Sequence, residues 1–508
     1  MQRRSRLTMA VLAGLAMIAA SCGGDDDDAA DTTAAAVETE APAETEAPAE
    51  TEAPAETEAP AETEAPVETE APEEREASDI GVTEDTIRIG VAVADLEAVR
   101  AAGISIPDTL TTQHLYDRWD VFVQQWNADG GINGRQVELV QLVWDPLNPA
   151  SFDTLCATAT VDEELFMVLN GTGLSSVAME CIADAGIPIM YGDVVAQTLL
   201  DTGIVVALAP PAEVVARAGV EAWAASTDVA PGSKVGVLAS NTPLISAAGA
   251  AAAETLTELG FEPQVIETNS LAGDNAATQE EAAASVGTFL ANGIGHVLVT
   301  TPFTENGGFW TAAAGQIDYT LLDTNSSQCS TFGLSRAPAG AAGGDCVTSY
   351  DHPTSEGSGV REDLEFEAEC RAFFDESFSE YYGGPSNSGV PAGQIITDVD
   401  GTVLNSDYTP QECTIANILQ MALTNAGVNP TRGSVIDAAL NLGEVPMALA
   451  SNGVGSLAPD KPYAADFVHI VRVTAAAPDV KADANGTYNG CAAPVNCGVV
   501  IGDWIPIA

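Results

Sequence analysis

The sequence predicts an α/β fold built on parallel sheets, and three observations predict it. Residues 87–93 and 137–143 are apolar, strand-like runs, and residues 110–127 between them follow a helical pattern. A strand, a helix and a second strand joined by a Gly-rich turn make a βαβ unit, which requires parallel pairing. Apolar runs and helical patterns then keep alternating as far as Asp323, as expected of strands covered by helices. Finally, the chain has 508 residues, 18 % of them charged and 6 % aromatic, which is enough for more than one globular lobe.

The first 78 residues stand apart from this pattern. Arg3, Arg4 and Arg6 precede a mostly apolar run, residues 7–20. As a helix that run is ~21 Å long, short of the ~30 Å hydrocarbon core of a bilayer. Residues 1–21 therefore read as an export signal and not as a membrane span. The signal ends Ala19-Ala20-Ser21-Cys22, which resembles the bacterial lipobox. That resemblance implies cleavage before Cys22 and a lipid on Cys22 as the new N-terminus. Residues 22–78 read as a tether, with Asp25 to Asp28 followed by AETEAP-like hexads from Val37 to Pro72. Recurrent Pro and like charges cannot build a core. At ~3.1 Å per residue, an extended tether reaches up to about 170 Å.

The folded part is expected to start near Asp79. The strands expected after the opening unit are 166–169, 187–191, 204–209, 234–239, 264–267, 296–300 and 319–322, all short and apolar, bounded by turn residues. The helices expected between them are 175–185, 213–225, 244–259, 275–291 and 309–315. Beyond Asp323 the pattern loosens to two clear helices, 362–382 and 411–426, among Gly- and Pro-rich loops.

Charge and cysteine usage restrict the partners and the compartment. The chain holds 74 Asp and Glu against 17 Lys and Arg. Setting aside −19 on residues 23–78 and +3 on residues 1–22 leaves −41 on residues 79–508, whose lysines are Lys234, Lys461 and Lys481 alone. Such a surface repels nucleic acid and anionic lipid head groups. No nucleic-acid partner is expected, and membrane contact is expected only through the lipid on Cys22. Apart from Cys22 there are eight cysteines, an even number that suggests disulfides in an exported chain. Sequence order favours the local pairs Cys156–Cys181, Cys329–Cys346, Cys370–Cys413 and Cys491–Cys497.

Two stretches carry a resemblance to a known family. GVTEDTIRIG (81–90) and NADGGINGRQVELV (127–140) make the chain similar to type 1 periplasmic binding proteins. The most similar branch is the leucine/isoleucine/valine-binding group, the solute receptors of amino-acid and amide ABC importers. ADAGIPIM (183–190) and APDKPYAADFVHIVRV (458–473) resemble later parts of that family, so the likeness covers about residues 79–475. It implies two Rossmann-like lobes with parallel sheets, joined by crossing hinge strands, with a small-molecule ligand between them. The implied lobes are 79–206 with 347–445 (lobe 1) and 207–346 with 446–508 (lobe 2). An ABC permease is the implied partner, and the implied location is extracytoplasmic, lipid-anchored to a bacterial cell membrane. The sequence departs from the family in three places. Loop 95–100 lacks the usual Gly-Pro-small pattern. The loop after Thr300 lacks aromatic-rich character, although Phe303 and Phe309 follow. Region 323–410 is longer and richer in Gly and Cys.

In open α/β sheets, ligands bind beyond the carboxyl ends of the strands, and those loops supply the candidate residues. Ser175 and Ser176 open a helix, where hydroxyls and free backbone N–H groups converge on a carboxylate or amide oxygen. In the resembling family, serines at this place hold the ligand carboxylate; simple N-capping would use the same residues. Gly192 and Asp193 form the next loop, and Asp193 could take a ligand ammonium or cap a turn. In lobe 2, Asn241, Thr242, Thr301 and Asn325 can supply neutral hydrogen bonds. There is no HExxH, paired CxxC, GxxxxGK[ST] or GxSxG motif. His114, His296, His352 and His469 are not in a metal spacing. Neither an enzyme, a metal nor a cofactor is expected. The expected function is that of a lipid-anchored receptor for an amino acid, amide or similar small polar solute, serving an ABC importer. The alternative is a surface sensor or scaffold lipoprotein of the same fold without a transport role.

Overall fold

The computed structural model describes residues 74–102, 110–171, 173–269, 274–302, 305–324, 328–329, 334, 337–350, 354–355, 359–360, 364–382, 395–397, 403–405, 410–475, 487–488 and 496–507. All belong to the unit 71–508. The export signal, Cys22 and the tether as far as residue 73 lie outside the described residues, as do Phe303, Asn325, His352 and the Cys491–Cys497 bond.

The first sheet has five strands, β1 (Thr86–Ala94), β2 (Gln136–Trp144), β3 (Met167–Asn170), β4 (Ile189–Tyr191) and β5 (Val205–Ala207). They lie in the order β2-β1-β3-β4-β5 and all pair in parallel. Position explains composition. β1 lies between two neighbours and is nearly continuously apolar, whereas β2 at the edge alternates buried and exposed residues. The opening βαβ unit is thus present, with Ile87 opposite Val137. Its crossover consists of a short α1 (Leu96–Ala101) and the long α2 (Thr112–Ala128), capped by the Thr111 side chain and burying Trp119, Val123 and Trp126. Helix α1 stands where loop 95–100 was expected. Asp95 starts it by accepting from the Ala98 N–H.

The NADGGINGR turn has a structural purpose. A side chain at Gly131 would put its Cβ 2.0 Å from the Arg135 carbonyl oxygen, so only Gly fits. Asn133 adopts φ 51° and its amide donates to the Leu423 and Gly427 carbonyls at 3.0 and 2.9 Å. Arg135, fully buried, donates to the carbonyls of Thr83 and Glu76, both at 2.7 Å, and to that of Val428. Ser78 donates to the Pro430 carbonyl at 2.6 Å, and the Glu76 N–H donates to Asn429 Oδ1 at 2.8 Å. Residues 74–78 are thereby fastened to the amino end of the sheet.

The second sheet repeats the winding. β6 (Lys234–Ser240), β7 (Glu262–Thr268), β8 (His296–Val299), β9 (Asp318–Leu322) and β10 (Asp345–Thr348) run parallel in the order β7-β6-β8-β9-β10. Strands Phe467–Ala475 and Asn496–Pro506 then extend it antiparallel. Its helices include α7 (Pro243–Glu258), α8 (Asn275–Ala291) and α9 (Asn306–Ala313), following α3 (Ala150–Ala157), α4 (Ser176–Asp184), α5 (Gln197–Leu200) and α6 (Ala212–Ser226).

Three segments pass between the sheets. The chain leaves the first sheet through 208–211 and re-crosses after Tyr350 to helix Glu365–Tyr382, whose Phe373 stacks on Phe122 of α2 at 4.9 Å. It returns through 458–466. Two crossings are bonded to each other: the Ala464 N–H donates to the Ala207 carbonyl at 3.0 Å and the Ala465 N–H to that of Leu208 at 2.8 Å. Lys461 Nζ knots this strip by donating to the carbonyls of Ser456 and Tyr463 at 2.7 and 2.6 Å. The structure bonds Cys156 to Cys181, Cys329 to Cys346 and Cys370 to Cys413, three of the local pairs that sequence order favours. No described helix is long and apolar enough to cross a membrane.

Candidate ligand cleft

Both sheets reverse direction of winding after their first strand, between β1 and β3 and between β6 and β8. Loops leaving two such strands part in opposite directions and open a crevice at the carboxyl ends. In the first sheet those loops begin at Asp95 and at Gly171.

The Asp95 loop is self-satisfied. Asp95 caps α1, and Thr112 Oγ1 accepts from the Leu96 N–H at 2.8 Å. The Gly171 loop is not. Ser175 is the N-cap of α4 yet makes no side-chain cap bond, and Ser175 and Ser176 remain half-buried. This loop sits on two aromatic side chains. Tyr191 Oη donates to the Leu174 carbonyl at 3.4 Å, and Trp144 Cζ2 lies 3.9 Å from where a Gly173 Cβ would stand. Above Gly171 is the buried Glu412, whose Oε1 would be 3.2 Å from a Cβ there. Gly192 packs so closely on Gly171 that a Cβ would meet its carbonyl oxygen at 1.9 Å. Gly192 is thus fixed by backbone approach. Its neighbour Asp193 is buried, and Asp193 Oδ1 accepts from the Val194 N–H at 2.5 Å. Burial drives the Tyr191 phenol well above its usual range, and the charge of Asp193 adds to that.

In the second sheet, Thr242 is the N-cap of α7 without a side-chain cap bond, and its hydroxyl is 3.2 Å from Ser240 Oγ. Asn241 is exposed, with its N–H donating to the Thr268 carbonyl at 3.0 Å. Thr301 is fully buried, and its hydroxyl donates to Asn306 Oδ1 at 3.0 Å. Thr324 Oγ1 donates to the Thr300 carbonyl at 3.1 Å, joining the loops after β8 and β9. Glu305 is buried and accepts from Thr268 Oγ1 at 2.5 Å. Asp323 is buried too, and desolvation pushes its carboxyl up to about 6, although bonds from Thr348 and from the Cys329 and Gln328 N–H groups oppose the shift.

One side chain spans the two halves. Tyr350, just past β10, donates its phenolic hydrogen to the Gly192 carbonyl. Burial raises the Tyr350 phenol far above its ordinary value, and the charges of Asp193 and Asp323 add to it. The structure therefore gathers Gly192 and Asp193 of the first sheet with Asp323 of the second around this residue. His469 Nε2 lies 2.7 Å from the Tyr350 carbonyl oxygen, and its ring stacks on Trp504 at 4.0 Å.

Sequence reasoning passed over a second set of residues. Trp144 Nε1, Asn170 Oδ1, Asn306 Nδ2 and both amide atoms of Gln328 are buried without a hydrogen-bond partner among the described residues. They close β2 and β3 or follow β8 and β9. Buried polar groups are normally paired; Trp223 Nε1 in α6 and Trp310 Nε1 in α9 are also without a partner among the described residues, so it is the position of Trp144, Asn170, Asn306 and Gln328 at or beyond strand ends that sets them apart. Asn170 was open to detection as the last residue of a strand before a Gly-rich loop. Asn306 and Gln328 carry no sequence signal beyond lying in loops.

Family comparison agrees with the geometry. The profile of the family described as periplasmic binding protein matches residues 120–395, more than half of the chain. The chain belongs to the periplasmic binding protein family. It is accordingly a binder of solutes and not an enzyme. No curated protein matches the sequence. Among solved structures, this binding protein is similar to a fatty acid ABC transporter substrate-binding protein from Thermomonospora curvata, with TM-score 0.56 and 17 % identity over 84 % of this chain and 94 % of the other. It is also similar to a branched chain amino acid ABC transporter protein from Thermus thermophilus with bound valine (TM-score 0.55, 13 % identity, 83 % and 96 % covered). A third is an R. palustris solute binding protein in complex with 4-hydroxybenzoate (0.55, 15 %, 83 % and 98 %). At these identities the likeness is one of fold.

Proposed function

We propose that this binding protein is the extracytoplasmic, lipid-anchored receptor of an ABC importer, and that it binds an amino acid, short amide or related zwitterion between its two lobes. One observation carries the ligand class. The α4 N-terminus, whose N-cap Ser175 makes no cap bond, belongs to the same loop cluster as two buried carboxylates, Glu412 against Gly171 and Asp193 beyond Gly192. Helix N–H groups with serine hydroxyls complement a carboxylate, and a carboxylate pair complements an ammonium. The lobes expected from the sequence, 79–206 with 347–445 and 207–346 with 446–508, shift at their ends to the crossings at 208–211, after Tyr350 and at 458–466, since β10 belongs to the second sheet and Val445 pairs with Gly455 ahead of the last crossing; Asn241 and Thr242 would meet the ligand from lobe 2. Closure follows from a ligand that touches both lobes and so favours the closed population.

Calorimetry on the disulfide-bonded mature chain tests this reading. An amino acid or amide should bind, and Ser175→Ala with Ser176→Ala should weaken it by about 1.5–3 kcal/mol, the worth of hydrogen bonds to a charged group. Binding of sugars or aromatic acids alone would show the zwitterion reading to be wrong. Lipidation is checked separately: Cys22→Ser should release the protein from the membrane fraction. Helix α1, which fills the lobe 1 reversal point, favours a second reading, a sensor without transport. Co-purification with a permease would exclude it.

A further inference from the structure

In lobe 2 the corner after β8 and β9 sets neutral amides beside the buried carboxylates Glu305 and Asp323. Asn306 and Gln328 are fully buried. Asn306 spends Oδ1 on Thr301, which leaves Nδ2 without a partner, and both side-chain amide atoms of Gln328 lack one among the described residues. The two residues belong to one corner. Thr324 bonds the β9 loop to Thr300, Thr301 bonds to Asn306, and the Gln328 N–H donates to Asp323 Oδ1 at 3.3 Å. The corner thus offers neutral donors and one neutral acceptor.

We infer that Asn306 and Gln328 read a neutral hydrogen-bonding group at the far end of the ligand, a carboxamide or hydroxyl, and reject both alkyl and carboxylate tails. The inference rests on the zwitterion reading above. An alkyl tail would leave the buried amides unsatisfied, and a site built to hydrogen-bond a polar group discriminates strongly against the analogue that lacks it. A carboxylate tail meets the buried Glu305 and Asp323. Among the described residues, 240–242, 268–269, 300–302, 305–306, 322–324 and 328–329 include no Lys or Arg to offset that repulsion. The burial of Asp323, which raises its carboxyl, is in keeping with a corner that disfavours negative charge. Burial of a second anion there would be opposed by the same loss of hydration.

Calorimetric titration with four amino acids of matched backbone, glutamine, homoserine, leucine and glutamate, tests the inference. Glutamine or homoserine should bind at least tenfold more tightly than leucine and glutamate. Gln328→Leu and Asn306→Leu should each shrink the preference for glutamine over leucine tenfold or more, whereas Ser175→Ala should weaken all four alike. The ranking in the unaltered protein decides even where a variant fails to fold. Ser175-dependent binding of leucine or glutamate as tight as that of glutamine would leave the proposed function standing and overturn this inference; the amides then hold ordered water. A glutamine preference left intact in Gln328→Leu and Asn306→Leu would also overturn it. Binding of none of the four would overturn this inference; the proposed function falls with it where sugars or aromatic acids bind in their place.

Discussion

At the carboxyl end of the first sheet, Ser175 and Ser176 stay half-buried and Ser175 makes no cap bond; at the matching end of the second, Thr300, Thr301 and Thr324 are buried and bonded across strand ends. The two edges share a strand order, so topology does not cause the difference. It comes from which atoms each loop spends on itself. In lobe 1 the Ser175 hydroxyl makes no cap bond to the start of α4. Lobe 2 spends the hydroxyls of Thr300, Thr301 and Thr324 in stiffening its loops, and Asn306 Nδ2 and the Gln328 amide are without a partner among the described residues. On the proposed reading, the charged end of a ligand would meet lobe 1 and its neutral end lobe 2.

The covalent bracing of the two halves gives the largest expected effect. Cys370–Cys413 closes a separation of 43 residues beside α2, and Cys329–Cys346 one of 17 residues beneath the β9 loop. Chain entropy assigns these about 4 and about 3 kcal/mol respectively. Denaturant unfolding of the two Cys-to-Ala pairs should rank them in that order. A larger loss from Cys329–Cys346 would show that the lobe 2 corner depends on its crosslink more than on the threonine network.

Gly192 comes next. A Cβ there would overlap the Gly171 backbone at 1.9 Å, whereas Gly186, with φ +72°, has open space around it. Gly192→Ala should cost about 3 kcal/mol through forced backbone movement, and Gly186→Ala about 1 kcal/mol through conformational strain alone. Equal losses in thermal unfolding would mean that the two lobe 1 loops can separate without penalty.

Asp323 marks the contrast in charge. Its carboxyl is raised from 3.8 to about 6, so the folded state holds this proton more tightly than the unfolded state does. The associated stability is fully present below pH ~4 and is lost as pH rises through about 6, some 2–3 kcal/mol for a shift of this size. Asp323→Asn should therefore gain on the parent protein as pH rises from 4 to 7, measured as the difference in unfolding midpoint. A difference that stays flat across that range would mean Asp323 is not desolvated.

What the sequence made legible follows from what backbone geometry imposes. Gly131, Asn133 and Arg135 are dictated by a tight turn, a left-handed residue and a buried guanidinium that binds carbonyls, so the NADGGINGR motif identifies the fold. That motif sits at the amino end of the sheet, however, and the cleft at the carboxyl end. The most readable residues are therefore the ones that say least about the ligand. Ser175 and Ser176 were readable because a helix start has a chemistry of its own. Asn306 and Gln328 were not, because their significance is the absence of partners, which only packing reveals. Thr301 was readable as a polar loop residue, but its hydroxyl turns out to be committed to Asn306. Helix α1 was read as loop because its six residues fall below the length at which helical periodicity can be recognised.

The smallest expected effect concerns the bond that spans the comparison. Tyr350→Phe keeps the ring and removes the hydroxyl that donates to the Gly192 carbonyl. Tyr191 packs against the same cluster from the lobe 1 side, so the ring should stay in place. The loss should be about 1 kcal/mol, that of one hydrogen bond with its acceptor left in place. Its consequence for shape should be larger than for stability, because Tyr350 follows a strand of the second sheet and Gly192 follows one of the first. Without this bond, and without ligand, the variant should populate a more open form, read as an increased radius of gyration in solution scattering. Saturation with a bound solute should return it to the parent value, since contacts to both lobes then replace the bond. An unchanged radius in the ligand-free variant would mean that the strip between Ala207 and Ala465, and not Tyr350, sets the angle between the lobes.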